Sequence, residues 1–143
     1  MARIEKSVLI GYSAAQMFAL VEKVEDYPKF LPWCRATDVH WRKPDGMRAS
    51  ITVDFKALQQ TFTTENRHVP NALIEMRLVE GPFRNFNGCW HFQPLSDTAC
   101  KIEFSLDYEF SNAVLEQLAG PVFGSIARTL VDSFVSRAEV VYG

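Results

Sequence analysis

Two segments of the chain alternate between apolar and polar residues along their length. Between residues 47 and 56 the apolar positions are Met47, Ala49, Ile51, Val53 and Phe55, and between residues 101 and 110 they are Ile102, Phe104, Leu106, Tyr108 and Phe110. Successive side chains of a strand point to opposite faces of a sheet, so this pattern predicts two strands with one apolar and one solvated face. Shorter or noisier alternations predict five more strands, around residues 4–10, 39–41, 59–68, 74–78 and 90–92. The segment 59–68 is rich in Thr and places few apolar residues inside.

Turn-forming sequences separate the predicted strands. They lie at residues 43–46, 69–71, 81–82 and 95–98, and each contains Pro, Gly, Asn or Asp. These residues favour reversals of the chain because they preset or tolerate turn dihedral angles. Short connections between successive strands favour an antiparallel sheet.

Helical signals occur on both sides of the strand-rich region. Ser13 opens a capping box with Gln16, which predicts a short helix, and a second helical turn is expected to end at Tyr27, before Pro28. After the last strand, a helix of about 25 residues is predicted from an apolar stripe. Ser111 or Asn112 can cap it, and Pro121 is expected to bend or restart it. The stripe consists of Leu115, Leu118, Val122, Ile126, Leu130, Phe134 and Ala138.

The order of elements predicts one α+β domain over residues 1–143. A curved seven-stranded antiparallel sheet would wrap around the long C-terminal helix, with two short helices between the first and second strands. This is the helix-grip arrangement. One helix often leaves space above a concave sheet, and that space suits an apolar ligand. The 143 residues are enough for one core without a disulfide or metal.

Composition and charge narrow the classes of function. The net charge is −2, with both signs scattered, so no basic stripe indicates a nucleic-acid groove. The chain has 11 Phe, 3 Trp and 4 Tyr, which favours a large apolar interior. Cys34, Cys89 and Cys100 have no metal-ligand spacing and are expected to be reduced thiols of a cytoplasmic protein. No secretory signal or membrane-spanning segment is predicted, which leaves only peripheral membrane contact open.

No combination of residues predicts catalysis or a metal site. His40, His68 and His91 are expected to be solvent-exposed bystanders. A hydrolase needs a nucleophile, a base and an oxyanion site together, and no such set is present. Four carboxylates fall on the polar face of the predicted sheet: Asp54, Glu103, Asp107 and Glu109. Lys6 and Asn66 break the inward apolar pattern, either to contact the polar head of a ligand or because strand ends are exposed.

Two aromatic segments stand apart from the sheet and helix patterns. Residues 27–34 read Tyr-Pro-Lys-Phe-Leu-Pro-Trp-Cys, and residues 81–90 read Gly-Pro-Phe-Arg-Asn-Phe-Asn-Gly-Cys-Trp. A loop stiffened by two prolines and carrying bulky side chains can act as a lid over a pocket. It can equally be a hydrophobic plug that seals one end of the core. The second segment would face the same cavity mouth.

These two segments, together with the ending from Val122-Phe123 to Tyr142-Gly143, resemble the START-like, polyketide-cyclase-type superfamily. The resemblance covers essentially the whole chain and is strongest to the branch of coenzyme Q-binding proteins and bacterial ribosome association toxins. It implies a cavity that accepts ubiquinone, another polyprenyl quinone or a similar lipid, without redox chemistry and with no required cofactor. On the toxin side it implies binding to the large ribosomal subunit and a block of subunit joining.

The resemblance also implies site residues. The ligand-facing candidates are Phe30, Leu31, Pro32, Trp33, Phe83, Phe86, Trp90, Phe123, Ile126, Leu130 and Phe134, although the same pattern would build a filled core. Asn66, Asn85 and Arg84 are candidates for a hydrogen bond to a quinone ring. Candidates for docking on the ribosome are Arg35, Arg42, Lys43 and Arg48, which can equally be scattered solubilising charges.

Three classes of function remain from the sequence. A carrier of a hydrophobic small molecule agrees best with the residues, because an apolar tail gains about 25 cal/mol per Å² removed from water. A ribosome-binding inhibitor rests on the resemblance. A cyclase or aromatase is the weakest, because such enzymes need polar groups inside the cavity.

Overall fold

Seven antiparallel strands form a single curved sheet. The computed structural model describes residues 2–55 and 58–143, and of Phe55 and Leu58 it describes the backbone. The predicted inward position of the Phe55 side chain therefore lies outside the described part. The strands are β1 (Ala2–Ile10), β2 (Cys34–Lys43), β3 (Gly46–Phe55), β4 (Leu58–Val69), β5 (Leu73–Glu80), β6 (Phe83–Ser96) and β7 (Ala99–Phe110). Their order is β1-β7-β6-β5-β4-β3-β2, so β1 and β2 are the two edges.

Three helices complete the fold and cover the concave face of the sheet. They are α1 (Ala14–Glu22), α2 (Tyr27–Phe30) and α3 (Ala113–Tyr142), with a 3₁₀ turn at Val24–Asp26 between the first two. Together these elements make the helix-grip, START-like arrangement that the sequence predicts. None of the helices in the described part of the chain combines the length and the hydropathy needed to cross a membrane.

The alternating residues of β7 show which face of the sheet is buried. Cys100, Ile102, Phe104, Leu106, Tyr108 and Phe110 are buried, whereas the residues between them are partly or fully exposed. Inward positions of β7 pair with inward positions on its neighbours, as Ile102 does with Val8 on β1 and with Phe92 on β6. The period-two prediction is confirmed for this strand.

Strand β4 differs from its prediction at its polar positions. Thr64, Asn66 and His68 lie on the same face as Phe62, and all four side chains are buried. His68 was predicted to be exposed, and that prediction is wrong because the strand continues in register to Val69 and turns His68 towards α1. His40 and His91 are exposed, as predicted.

Local sequence signals explain where α1 and α2 begin. The Ser13 side chain accepts a hydrogen bond from the Gln16 backbone, and the Gln16 side chain accepts one from the Ser13 backbone. The second helical element does not stop before Pro28. It continues to Phe30, because Pro28 stands in the first turn of α2, where its missing N–H has no partner to lose. The front half of the predicted lid loop is therefore helical, and Leu31 behind it is fully buried.

Helix α3 is one uninterrupted helix of 30 residues with Pro121 inside it. Asn112 caps it by accepting a hydrogen bond from the Leu115 backbone, which settles the choice between Ser111 and Asn112. The helix does not restart at Pro121. The buried face runs through Ala119 and Phe123, so the predicted stripe is displaced at Leu118, which is 61% exposed. Leu115 and Val122 remain partly buried against the core.

A positive backbone angle explains one of the turn glycines. Gly81, between β5 and β6, has φ of 152°, and a Cβ atom there would lie 2.5 Å from Cβ of Phe62. A side chain at this position would meet both strain and a clash with the neighbouring strand. Cys34, Cys89 and Cys100 are free thiols, and two of them are buried in the core.

Candidate ligand cavity

An apolar cavity of about 80 Å³ lies between the concave face of the sheet and the middle of α3. Strands β3 to β7 form its floor, α3 forms its roof, and the turn around Val24–Tyr27 and Trp33 closes one side. Its lining residues are Val24, Tyr27, Trp33, Ala49, Ile51, Val53, Phe62, Thr64, Asn66, Met76, Phe86, Trp90, Phe104, Leu106, Phe123, Ile126, Ala127 and Leu130.

The structure brings six of the eleven candidate ligand residues to this cavity. They are Trp33, Phe86, Trp90, Phe123, Ile126 and Leu130. The other five, Phe30, Leu31, Pro32, Phe83 and Phe134, do not line it. A ligand contact of any of these residues stays a prediction.

Phe30 and Phe134 instead fasten α2 to α3. Their ring centroids are 5.3 Å apart, and Tyr27 lies 5.4 Å from Phe134. The guanidinium of Arg137 lies 5.0 Å above the Phe30 ring, a cation–π contact. The Tyr27 and Phe30 rings of the aromatic segment 27–34 are therefore packed against the C-terminal half of α3.

Phe83 belongs to a second aromatic cluster at the other end of α3. It packs against Phe62, Phe86, Phe110 and Phe123, with ring centroids between 4.9 and 5.7 Å from its own. Phe62, Phe86 and Phe123 belong to this cluster and also line the cavity, whereas Phe83 does not. Pro32 is exposed on the surface.

Thr64 and Asn66 place polar side chains in the largely apolar lining of the cavity. Asn66 was a sequence candidate because it interrupts the inward pattern of β4, and Thr64 was missed. The signal for Thr64 was its place two residues after Phe62 and two before Asn66, on one face of one strand. The Oδ1 atom of Asn66 is buried and accepts no hydrogen bond from the described residues.

Tyr27 is the titratable side chain among the described lining residues. Its hydroxyl donates a 2.5 Å hydrogen bond to the carbonyl oxygen of Val21. Burial, the largest cause, raises the pKa of Tyr27 above its usual value of 10. The Tyr27 hydroxyl therefore stays protonated near neutral pH and uses its proton in the hydrogen bond to the backbone. The described residues also contain no group of three or more His, Cys, Asp or Glu side chains that could hold a metal ion.

The cavity is smaller than the usual pocket for a small molecule, which encloses about 300–1,000 Å³. A polyprenyl quinone does not fit the space as it stands. The partly buried residues of the described lining are Trp33, Ile51, Met76 and Leu130, and Trp33 stands at the side that follows α2.

The other polar-head candidates lie away from the cavity. Lys6 is exposed on the edge strand β1. Arg84 pairs with Glu109 at 3.1 Å on the solvated face of the sheet. The side-chain oxygen of Asn85 accepts a hydrogen bond from Asn87.

The four candidate docking cations do not form one patch. Arg42 points to the concave side, where it pairs with Glu22 and Glu25 at 2.6 and 2.5 Å. Its hydrogen bonds lower the pKa of Glu25 to about 2. Arg48 lies on the opposite face and pairs with Glu65 at 3.3 Å.

The remaining two cations have no carboxylate partner among the described residues. Nζ of Lys43 lies 5.2 Å from the centre of the Trp41 ring, on the convex side. Arg35 is exposed near the start of β2. A strand rises about 3.3 Å per residue, so eight positions separate Arg35 from Lys43 by about 26 Å.

Known proteins share both the sequence and the fold of this chain. The model of the family "polyketide cyclase / dehydrase and lipid transport" matches residues 10–135. Ribosome association toxin RatA of Escherichia coli is 43% identical over 142 residues, which cover 99% of this chain and 90% of the relative. The mitochondrial coenzyme Q-binding protein COQ10 of Drosophila melanogaster is 30% identical over 138 residues, which cover 94% of this chain and 57% of the relative.

A solved structure with the same fold is the Zhui aromatase/cyclase of Streptomyces sp. R1128. Its TM-score is 0.81 at 16% identity, over 96% of this chain and 93% of that one. A likeness at this identity shows the fold alone. The family match and the full-length relatives carry the assignment: the chain belongs to the polyketide cyclase/dehydrase and lipid transport family, within the START-like superfamily.

Proposed function

We propose that this chain associates with the ribosome, binding the large subunit and blocking subunit joining. The observation that carries the proposal is its 43% identity to a ribosome association toxin over 99% of the chain and 90% of the relative. The coenzyme Q-binding relative is less similar, and the chain spans 57% of its length. Activity on the ribosome would place the chain in the cytoplasm.

The docking surface follows from which cations are free to meet an anionic partner. Arg42 and Arg48 are already neutralised by carboxylates. Arg35 and Lys43 have no such partner among the described residues, and both lie on β2, an edge strand. A net charge of −2 gives little long-range attraction to RNA, so two separate local contacts, one near each end of β2, are the simplest route.

Co-sedimentation tests this proposal. Purified wild-type protein is expected to move with the 50S subunit in a sucrose gradient and to reduce 70S formation from isolated subunits. The double variant Arg35→Glu, Lys43→Glu should lose this binding, because phosphate contacts become repulsive. A charge-matched control is Lys6→Glu, Lys101→Glu, on the edge strand β1 and its neighbour β7, which should bind like wild type.

Two results would contradict parts of the proposal separately. If wild-type protein stays at the top of the gradient with 30S, 50S and 70S particles alike, ribosome association is wrong. If wild-type protein and the β2 variant sediment equally with the 50S subunit, association stands and the surface lies elsewhere.

A second function, binding of a hydrophobic small molecule, is favoured by the apolar cavity. Its lining is aromatic and aliphatic apart from Thr64, Asn66 and the Tyr27 hydroxyl. A ubiquinone or another polyprenyl lipid would enter by displacing Trp33 or Leu130. The proposal contains no catalytic step. The titratable side chain of the described lining is Tyr27, whose hydroxyl already donates to a backbone carbonyl, and no acid–base pair lies beside it.

Lipid extraction and mass spectrometry test this second function. Protein purified from a quinone-producing bacterium should carry a lipid in near-stoichiometric amount. Trp33→Ala removes a large apolar lining surface and should reduce lipid retention at least tenfold. Trp41→Ala, which changes a tryptophan on the convex side, is the matched control and should retain the lipid. Empty wild-type protein that gains no thermal stability from added quinone would contradict quinone binding.

A further inference from the structure

Asn66 lines the cavity, and its side chain carries an unsatisfied hydrogen-bond acceptor. It lies inside the sheet, where it pairs with Met47 of β3 and Met76 of β5. Its side chain is 7% exposed, and its Oδ1 atom receives no hydrogen bond from the described residues. Thr64, two residues earlier on the same face, lines the same cavity.

A buried acceptor without a donor is costly for a folded protein. Buried polar atoms have a partner in the large majority of cases, and an unsatisfied one destabilises the fold. The surroundings of Asn66 do not relieve this, because its neighbours across the strands are two methionines. The partner that completes this site therefore comes from outside the chain, as a ligand or as water.

The chemistry of the amide selects among ligands. A quinone carbonyl only accepts hydrogen bonds, so it cannot satisfy Oδ1 of Asn66. A hydroxyl group donates to Oδ1 and keeps lone pairs for the amide N–H₂ or the Thr64 hydroxyl. The geometry points to a ligand class: an apolar molecule carrying a hydroxyl, such as a phenol, a quinol or a lipid alcohol, whose O–H donates to Oδ1 of Asn66. This inference rests on the second proposed function, binding of a hydrophobic small molecule.

Three small ring molecules separate the contributions of donor and acceptor. Phenol carries a hydroxyl, toluene replaces it with a methyl group of similar size, and cyclohexanone carries only an acceptor. Dissociation constants are measured by NMR titration for wild type, Asn66→Leu and Thr61→Val. Thr61 lies on the opposite face of β4, where it bonds to Thr52, so its variant is the matched control.

The readout is the preference for phenol over toluene, compared between proteins. Differences in water solubility cancel because each protein sees the same two molecules. The ratio of the dissociation constant for toluene to that for phenol should be about tenfold larger for wild type than for Asn66→Leu. Thr61→Val should give the same ratio as wild type. Wild type should also bind phenol more tightly than cyclohexanone.

The outcomes distinguish failure of this inference from failure of ligand binding. Binding of phenol and toluene with the same preference in wild type and Asn66→Leu overturns the role of Asn66, and it indicates that a water satisfies Oδ1. Tighter binding of cyclohexanone than of phenol to wild type also overturns it, and this comparison holds even if Asn66→Leu does not fold. If none of the three molecules binds to wild type, small-molecule binding in this cavity is itself wrong.

Discussion

His68 is a buried histidine that its sequence context did not reveal. It is 4% exposed, its ring meets Phe18 edge-on at 5.7 Å, and its Nε2 atom has no partner among the described residues. The alternation of apolar and polar residues along the Thr-rich strand β4 is too weak to predict on which side of the sheet His68 lies. Burial is the main cause that lowers the pKa of His68, with Arg42 acting in the same direction and Glu22 and Asp45 opposing it.

The lowered pKa of His68 predicts a loss of stability in mild acid. The unfolded chain binds the proton near pH 6.5, whereas the folded state resists it. The contribution is therefore complete above pH 6.5 and falls as the pH drops below it. For this group the free energy of unfolding should decrease by at most about 1.4 kcal/mol per pH unit.

Urea unfolding between pH 7 and pH 5 measures this dependence. His68→Leu should flatten the profile relative to wild type. A profile that is identical in the two proteins would show that His68 does not titrate differently on folding.

Between elements, Arg42 ties the end of β2 to the segment that carries α1. It pairs with Glu22 at the end of α1 and Glu25 in the 3₁₀ turn, and its guanidinium also donates to the carbonyl oxygen of Glu22. The short helices are thereby anchored across the concave face next to the cavity side formed by Val24 and Tyr27. Basic character at residue 42 thus has a structural role, whatever else it contacts.

Removing this clamp should destabilise the fold in a pH-dependent way. The pKa of Glu25 falls from 4.5 to about 2 in the folded state, so its contribution exists above pH 4.5 and is lost as the pH falls towards 2. The Glu25 side chain is 44% exposed, so solvent screening limits the effect to about 1 kcal/mol. Arg42→Met should lose this amount at pH 7 and much less at pH 2, measured by urea unfolding. Arg84→Met, which breaks an exposed pair on the sheet, should change stability less at pH 7.

Element prediction succeeded where the signal was local. The capping box at Ser13, the Asn112 cap and the alternation of β7 each depend on residues close in sequence. It failed at Pro28, because a proline can either follow the end of a helix or stand in its first turn, and Pro28 stands in the first turn of α2. At Pro121 the same ambiguity applies, and of the predicted bend or restart the structure excludes the restart, because the proline lies inside α3. Packing against the sheet decides between these alternatives, and packing is not visible in a local pattern.

On the scale of the molecule, the volume between sheet and helix is the feature that links stability to binding. Ala127 of α3 lines the cavity and is buried. Ala127→Leu adds three carbons to an empty space, so the free energy of unfolding should rise by about 2 kcal/mol and binding of small ligands should disappear. Thermal unfolding and lipid extraction measure the two effects.

The matched control for this change is Ala138→Leu. Ala138 is fully buried on the same helix but does not line the cavity. Overpacking there should cost about 1–3 kcal/mol. If Ala127→Leu destabilises the protein as much as Ala138→Leu does, the cavity is not available space.

The cavity lining was only partly predictable from the sequence. Trp90 and Ile126 follow from regular periods that place them on an inward face. The exclusion of Phe30 and Phe134 does not, because these two rings contact each other across more than 100 residues of sequence. The same aromatic residues that favour a lipid pocket in the sequence fill most of it in the structure.

The pairing of β1 with β7 means that the sheet cannot be completed until late in translation. Ala2 lies opposite Tyr108, so the first strand to leave the ribosome has no neighbour until the seventh has been translated. Helix α3, which shields the concave face, is translated later still. Until then the nascent sheet exposes its apolar side, and such long-range closure folds slowly and invites misassembly. The chain is therefore expected to depend on chaperones during translation more than a helical protein of equal length.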